Sequence, residues 1–572
     1  MIKRHTIPAL SLVLLLAVVI LFQPAIASGP TTTLTAIAID LPSDSTGTEG
    51  GTLAVHLFVP KVGHTRYADG APVLVWVPGG DSPGSLGNPL PPAANDLIVI
   101  TFLFPSGVDP RSGRHSDGTY DHRGLSSIAA LRDVIRYAAS ELADDQGHTI
   151  DEVVPGPVLH DNIGLLGASN GGNIVVAVAA EHGADLADHL RYVIQWESPV
   201  SSQIATVDLG RVRLQCPPGE EGNNDFVNPR YTAYSPITLT VDFSDLAYDP
   251  SDPRTPIFHD GNNDGHYTTV RDPATGCQTP DLDMNGVLEL DEDFPLWAYT
   301  DGTKQIYSRP VSHALMDNHV FPGPWPPGIA TPAEADVYWD LREAVRLYHN
   351  ALVNIPDLEG MVLASVRDHV QSAPDKPHIR QAFERWLDLP RSWQAQGGEG
   401  DTWVQINPSP SYLIEADPML AGRTDLPDNA PDTPPTDWSN AAAYCIPEDI
   451  PTGTYQLAAV WQMADRAHAT GSSTPTPTAT VVNTPTLTPT PTPTATAIST
   501  PTLTLTPTPT ATATPTETPG VPTSSPTPTT TSTVGYGRFL PLILRQSPGV
   551  IPPPHTRQLK LLLSQPPSWS RP

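Results

Sequence analysis

The sequence predicts an α/β fold in which a mainly parallel sheet is covered by helices on both faces. Strand patterns alternate with helix patterns along the first part of the chain, which is typical of parallel sheets. Two strand segments are apolar almost throughout, as expected for strands buried on both faces: APVLVWV and NDLIVITFLF. The segment GLSSIAALRDVIRYAASEL has an apolar face at helical spacing, formed by Ile128, Leu131, Ile135 and Leu142.

The remaining elements follow in chain order. The two opening segments alternate apolar and polar residues, which predicts an antiparallel edge of the sheet: LTAIAIDL and TLAVHLFVP. A buried strand, NIGLLGAS, precedes a predicted helix at 173–181 and the strand RYVIQWESP. Two later strands, GMVLASV and TWVQINP, flank the helix HIRQAFERWLDL. We therefore expect one folded domain at 28–470, interrupted by a strand-poor insertion at 200–335 that resembles a lid in position.

The start of the chain is unlike a folded domain. Residues 1–27 combine two basic residues, a short apolar run and the small-residue sequence AIA, which is typical of a secretory signal peptide. A membrane anchor is the alternative, but the apolar run is shorter than the roughly 20 residues that a spanning helix needs. We therefore expect a secreted or cell-surface protein without a transmembrane segment.

The end of the chain is also of low complexity. Residues 471–534 are Thr-Pro repeats that lack core-forming side chains, so we expect a disordered, semi-rigid linker. Residues 535–572 form a short basic tail that contains GRFLPLILRQ. Stalks of this composition that end in such a segment resemble an architecture of secreted bacterial proteins. The tail is interpreted either as a cell-surface attachment or sorting element or as an unstructured remnant.

Charge and cysteine content narrow the function classes. The net charge of −30 excludes nucleic acid and anionic lipid as partners and favours divalent cations. The three cysteines are too few for a disulfide scaffold. Cys216 and Cys277 bracket the same insertion and are predicted to pair, which leaves Cys445 as a thiol. Three unpaired thiols are the alternative.

A serine motif stands between a buried strand and a helix. Residues 167–171, GASNG, fit the pattern G-x-S-x-G. A nucleophilic serine needs a tight strand-to-helix turn to project its hydroxyl into a cleft, and the flanking glycines allow close backbone approach. Five residues match by chance in many proteins, so the strand before Ser169 and the helix after it carry the interpretation.

This order of elements resembles the α/β-hydrolase family, over about residues 31–461. The resemblance implies that Ser169 is the nucleophile and that the backbone N–H of Asn170 forms part of an oxyanion hole. A second N–H is expected from the Gly-rich loop after the third strand, at Gly80 or Asp81. That loop lacks the histidine of the family's H-G-G motif, and a simple glycine turn is the alternative interpretation.

The resemblance also implies an acid and a base. Asp368 ends a late strand where the family places its acid, and Glu197, directly after YVIQW, is the second candidate. The family places its base after the last strand, but the segment that follows TWVQINP holds no histidine before His468. His378, at the start of the helix after Asp368, is the preferred base. The other candidates are His313, His319 and His369.

The insertion contains the most specific motif of the chain. Residues 281–292, DLDMNGVLELDE, match the pattern D-x-[DN]-x-[DN]-G-x₅-E at every defined position and resemble an EF-hand loop. The resemblance implies a Ca²⁺ site in which Gly286 makes the turn. The ligands would be the side chains of Asp281, Asp283, Asn285 and Glu292 and the carbonyl of Val287.

A second loop of similar pattern lies upstream. The sequence DGNNDG provides Asp260, Asn262 and Asp264 as candidate Ca²⁺ ligands. Its twelfth position is Arg271, which cannot bind a cation, and Asp272 is adjacent. For both loops the alternative is an acidic, turn-rich segment without metal.

Three functions are compatible with these residues. The preferred hypothesis is a secreted serine hydrolase that cleaves an ester or peptide bond of a small molecule or peptide by acyl transfer through Ser169, with a calcium-binding insertion. The second is a non-catalytic surface module that binds a partner through the same cleft, and the missing histidine favours it. The third is a calcium-dependent structural or adhesive protein.

Overall fold

A computed structural model describes the part of the chain that carries these motifs. The described residues are 35–91, 96–202, 208–213, 216–217, 225–230, 241–285, 287–368, 370, 376–395 and 402–471. The chain divides into two units, 1–481 and 482–572, and all described residues belong to the first. The predicted signal peptide, the tail and all of the linker except Gly471 therefore lie outside the described residues.

The described residues form an eight-stranded sheet in the order β1-β2-β4-β3-β5-β6-β7-β8. β1 pairs antiparallel with β2, and β2 pairs antiparallel with β4. All later neighbours are parallel, so the predicted mainly parallel sheet with an antiparallel edge is confirmed. The strands are Thr35–Pro42, Thr52–Val59, Ala71–Val77, Ile98–Phe102, Val158–Ala168, Leu190–Trp196, Glu359–Leu363 and Val404–Ile406.

Ten α-helices are described, named α1 to α10 in chain order. The predicted helix at 173–181 is longer than expected, because its first turn follows the serine turn directly. The helices are Leu125–Ala138, Ile150–Val153, Gly171–Leu186, Arg309–Asp317, Pro332–Asp340, Ala344–Asn354, Pro377–Ala395, Pro410–Ala416, Ala441–Tyr444 and Thr452–Gly471. None of these described helices combines the length and the apolar character that a membrane crossing needs.

Alternate side chains of the strands pack on opposite faces of the sheet. Val73 and Val75 of β3 join an apolar cluster with residues of α1 and α3, whereas Leu74 joins a second cluster with residues of α10. This two-sided burial explains the continuous apolar runs, since each face removes alternate side chains from water. The carboxyl ends of β3 to β8 meet at one edge, where ligands bind in open α/β sheets.

The insertion between β6 and β7 is built from short elements. Its described strands have two or three residues each: Arg211–Arg213, Asp225–Val227, Leu246–Tyr248, Ile257–His259, Val270–Arg271, Gln278–Thr279, Phe294–Pro295, Tyr299–Thr300 and Gln305–Ile306. A disulfide joins Cys216 and Cys277, which confirms the predicted pairing. Cys445 is a buried free thiol outside the insertion.

Candidate active site and metal-binding loops

Ser169 occupies a strained turn directly after β5. Its backbone φ of +48° lies in the left-handed region, which non-glycine residues rarely adopt. The carbonyl of Ser169 accepts a hydrogen bond from Gly172 N–H at 2.8 Å, and its N–H donates to Trp196 O at 2.8 Å. These bonds fix the turn between β5 and α3 and turn the serine out of the strand.

The two motif glycines are required by close backbone packing. A Cβ on Gly167 would lie 2.4 Å from Gly171 O, and a Cβ on Gly171 would lie 2.5 Å from Val77 O. Both distances are shorter than any atomic contact allows, so only glycine fits at either position. We call residues 167–171 the elbow.

The loop after β3, residues 78–82, lies against the elbow and is here called the oxyanion loop. A Cβ on Gly79 would lie 2.8 Å from Ser169 Cβ. The side chain of Asn170 donates a hydrogen bond to Gly80 O at 3.2 Å. The structure therefore brings together Ser169, Asn170 and the loop that carries Gly80 and Asp81.

The predicted acid and base form a buried pair. His378 Nε2 lies 2.7 Å from Asp368 Oδ2, and the residues are 3% and 5% exposed. No hydrogen bond joins either residue to Ser169, although all three lie in the described part of the chain. The structure thus joins two of the three predicted catalytic residues to each other but not to the serine.

Glu197, the second candidate acid, follows β6 in a similarly strained turn. Its φ is +46° and it is 2% exposed. Its carboxylate accepts a hydrogen bond from Ser365 Oγ at 2.5 Å. The pair lines a cavity of about 340 Å³ together with Trp196 and Tyr455. Among the described residues, Glu197 is thus hydrogen bonded to a serine.

Asn407 occupies the position after the last strand, β8, where a histidine is expected. It is fully buried, and its side chain donates to Ala364 O at 2.9 Å and to Tyr444 O at 2.8 Å. Its Oδ1 accepts from Ala364 N–H at 2.8 Å. Asn407 therefore ties the segments after β7 and β8 to the end of α9, and its amide cannot accept the serine proton.

Three other histidines named from the sequence, His313, His319 and His468, lie in the described part of the chain. His313 pairs with Asp336 in the insertion, and His319 follows α4 there. His468 pairs with Asp69, which precedes β3 and so lies toward the opposite edge of the sheet from the elbow. His369 lies outside the described residues. In the described part of the chain, no histidine is hydrogen bonded to Ser169.

Sequence reasoning missed one histidine–carboxylate pair near the elbow. His122 Nδ1 lies 2.6 Å from Asp81 Oδ2, within the oxyanion loop. The only local signal was the position of His122 shortly before α1, at the carboxyl edge. Its partner is distant in sequence, so no motif spacing could reveal the pair.

The downstream loop, 281–292, gathers its predicted ligands. Carboxylate oxygens of Asp281, Asp283 and Glu292 lie within 4.8 Å of one another. Glu292 accepts hydrogen bonds from the N–H groups of Leu282 and Glu289, each at 2.8 Å. Burial raises the pKa of Glu292, because a buried carboxylate is less well solvated.

The remaining ligand positions of this loop are Asn285 and Val287. Asn285 N–H donates to Asp281 at 3.2 Å and to Asp283 at 3.1 Å, and Asn285 Oδ1 accepts from Val287 N–H at 2.8 Å. Gly286, the predicted turn residue, lies outside the described residues. The loop thus concentrates oxygen atoms, the ligand type that Ca²⁺ prefers.

The upstream loop is closed by a residue of the downstream segment. Asp293 accepts hydrogen bonds from Gly261 N–H at 3.2 Å and from Thr268 N–H at 2.8 Å. These are the second and ninth positions of the loop that begins at Asp260, just as Leu282 and Glu289 are in the loop closed by Glu292. Burial, followed by the charges of Asp260 and Asp264, raises the pKa of Asp293 to about 6.

Asp272, the acid noted beside Arg271, does not close the upstream loop. Its carboxylate accepts instead from Ala274 N–H at 2.8 Å and from Thr275 Oγ1 at 2.7 Å, within its own turn. The three predicted ligands do cluster, since Asp264 N–H donates to Asp260 at 3.1 Å and to Asn262 at 3.0 Å.

Strand order, elbow and carboxyl-edge loops together define an α/β-hydrolase type of fold. No protein-family model and no curated protein matches the chain. Similar solved structures include a carboxyl esterase from the fungus Tuber melanosporum, at 11% identity and a TM-score of 0.32, over 80% of this chain and 98% of that one. An α/β hydrolase from Penicillium has 14% identity and a TM-score of 0.27, over 62% and 86%.

A bacterial heroin esterase is also similar, at 12% identity and a TM-score of 0.22 over 34% of this chain. The chain spans about half the length of this esterase and of the next structures it matches, between 48% and 53%. At these identities the likeness concerns the fold alone, and the function proposed below depends on this chain's own residues.

Proposed function

We propose that this protein is a serine hydrolase that cleaves an ester or peptide bond by acyl transfer through Ser169. The observation that carries the proposal is the strained elbow, whose serine has a φ of +48° and lies against the oxyanion loop. Strain of this kind persists only where surrounding structure imposes it, and it clusters at active sites. Ser106 and Ser140 also have a positive φ, so Ser169 is distinguished by the combination of the strain, the two required glycines and the packing against the oxyanion loop.

The proposed reaction has two steps. Ser169 Oγ attacks the substrate carbonyl while a base takes its proton, and the leaving group departs with that proton. Water then attacks the acyl-serine in the same way. The N–H groups of Asn170 and of the oxyanion loop at Gly80 or Asp81 would stabilise the negative oxygen. His378 with Asp368 is the base and acid pair predicted from the sequence.

A fluorophosphonate probe tests the proposal directly. We expect the folded wild-type protein to be labelled covalently and Ser169→Ala to remain unlabelled. Ser140→Ala is the matched control, because Ser140 also has a positive φ, of +62°, but follows α1 and hydrogen bonds Asp151. Absence of labelling in the folded wild type would overturn the proposal.

We also propose that the two acidic loops of the insertion bind Ca²⁺. The downstream site would use Asp281, Asp283, Asn285, Val287 and Glu292, and the upstream site Asp260, Asn262, Asp264 and Asp293. The donor set fits this ion, because it consists of oxygen atoms and its charges repel one another without a cation. Bound Ca²⁺ would supply charge neutralisation and hold the insertion in place.

Secretion to the medium or the cell surface completes the proposal. The chain begins with a signal-like segment, and the Cys216–Cys277 disulfide fits an oxidising compartment. We expect protein recovered from the culture medium to begin after Ala27. Recovery of uncleaved protein from the cytoplasm alone would contradict this.

A non-catalytic binding module is the second candidate function. Asn407 favours it, since this residue fills the position where the fold keeps its base. In that case the wild type would resist the probe while the elbow and the calcium loops retained their structural roles.

A further inference from the structure

We propose that His122, oriented by Asp81, is the general base that activates Ser169; this inference rests on the proposed function. The His122–Asp81 pair lies at the carboxyl edge of the sheet, where the elbow also lies. Asp81 is two residues after Gly79, the residue that packs against Ser169 Cβ. His122 therefore joins the active site through the same loop that would bind the oxyanion.

Several hydrogen bonds fix the His122 segment to the oxyanion loop. The fully enclosed guanidinium of Arg123 donates from Nη2 to Pro78 O and to Ser82 O, each at 2.8 Å. Tyr120 Oη donates to Ser82 O at 3.1 Å. The neighbours of His122 on both sides thus bind the ends of the loop, so the histidine and the loop form one unit.

The orientation of the imidazole suits proton acceptance. Asp81 engages Nδ1 at 2.6 Å, which favours the tautomer with the proton on Nδ1 and leaves Nε2 as the acceptor. Nε2 faces the insertion, since a Cβ on Gly302 would lie 3.0 Å from it. The His122 side chain is 18% exposed, so it can meet a substrate, whereas His378 is buried and uses Nε2 for Asp368.

The proposed proton path requires one water molecule. Because no hydrogen bond joins the described residues His122 and Ser169 directly, the proposal places a bridging water between them to carry the proton. As Ser169 Oγ bonds to the acyl carbon, its proton passes to His122 Nε2. The imidazolium, paired with the Asp81 carboxylate, then returns the proton to the leaving oxygen or nitrogen.

Kinetics of labelling by the fluorophosphonate probe test this role. We expect His122→Ala to slow labelling of Ser169 by about 100- to 1,000-fold, in the range of general-base effects. Added imidazole should restore part of the rate. Asp81→Asn should slow labelling as well, since the tautomer of His122 with its proton on Nδ1 is then no longer favoured. The matched control is His468→Ala, which breaks another surface His–Asp pair, toward the opposite edge of the sheet.

The outcomes separate this inference from the proposed function. An unlabelled wild type would overturn the proposed function and with it the role of His122. Normal labelling of wild type and of folded His122→Ala would overturn the role of His122 and leave the proposed function in place. Loss of labelling in His378→Ala would then assign the base to His378. If His122→Ala does not fold, His122→Asn, which keeps a donor toward Asp81, takes its place with the same two outcomes.

Discussion

The central sheet and the insertion between β6 and β7 are held together in different ways. All five residues of β4 are buried, and the strands bury alternate side chains on both faces. The insertion instead has strands of two or three residues, one disulfide and carboxylates that accept backbone N–H groups. The sheet is therefore stabilised by two large apolar clusters, whereas the insertion has smaller apolar clusters to which a disulfide and charged contacts are added.

This difference concerns function as well as stability. The elbow is held by backbone packing so close that only glycine fits at residues 167 and 171. This packing requires no ion or cofactor. The acidic loops hold repelling carboxylates in place and depend on a cation in our proposal. Conditions that alter the insertion should thus leave the elbow formed, and changes in the sheet should affect both regions.

The largest expected effect comes from removing the disulfide. Cys216 and Cys277 are separated by 61 residues, and a cross-link across such a loop contributes about 4 kcal/mol through the entropy of the unfolded chain. We expect Cys216→Ser/Cys277→Ser to make the insertion sensitive to protease while the sheet stays resistant. Limited proteolysis with fragment mass analysis measures this. Reducing agent should reproduce the effect in the wild type and add nothing to the variant. Cleavage throughout the sheet would contradict the separate stabilisation of the two regions.

Gly164→Ala, in contrast to loss of the disulfide, should destabilise the central sheet. A Cβ at this position of β5 would lie 1.9 Å from the buried ring of Tyr192, so the strands must shift. Overpacking of this kind costs about 3 kcal/mol. We expect a lower unfolding temperature that calcium does not restore. Gly156→Ala is the control, since nothing lies within 4 Å of its Cβ position; equal effects of the two variants would contradict the packing account.

Calcium removal should act on the insertion alone. A ligand present at 100 times its Kd stabilises the folded state by about 2.7 kcal/mol. We expect EGTA to lower the unfolding temperature of the wild type and to have a smaller effect on Asp293→Asn. Asp272→Asn, whose acid lies in its own turn, should respond like the wild type. Identical unfolding curves with and without EGTA would contradict Ca²⁺ binding at both proposed sites.

The smallest expected effect concerns a buried acid at the start of the insertion. Both carboxylate oxygens of Asp208 lack a hydrogen-bond partner among the described residues. Burial raises the pKa of Asp208 to about 7. The native state therefore retains a proton that the unfolded chain loses above about pH 4, so this group makes stability fall as pH rises from about 4 to 7.

Asp208→Asn removes that titration. We expect the variant to be more stable than the wild type at pH 8 by about 1 to 2 kcal/mol, with a flatter pH dependence between 4 and 7. Urea unfolding at several pH values measures both quantities. Parallel curves for the two proteins would show that Asp208 is not protonated in the native state.

The sequence predicted features that depend on local pattern. Alternating and continuous apolar runs identified the strands, and the context of GASNG identified the elbow, because each signal lies within about 20 residues. The disulfide was also predicted, since only two cysteines bracket the insertion. The absence of a histidine after β8 was visible as well, although only the structure showed that Asn407 ties the segments after β7 and β8 to the end of α9.

Non-covalent contacts between side chains of distant segments could not be predicted. Asp81 and His122 belong to loops after different strands, and they meet only because both strands end at one edge of the sheet. Asp293 closes a loop that ends more than 20 residues earlier in the chain. The EF-hand pattern, counted along the upstream loop alone, places the closing acid at Arg271 or the neighbouring Asp272. It therefore could not indicate Asp293.

The position of the insertion has a consequence for how the chain folds. β6 and β7 are neighbours in the sheet, yet the whole insertion separates them in the chain. Pairing them closes a long loop, and contacts between such distant segments slow folding. The cross-link between Cys216 and Cys277 shortens that loop once it forms. With the export proposed above, early oxidation of the two cysteines should therefore speed completion of the sheet, so that export and folding rate would be coupled through one bond.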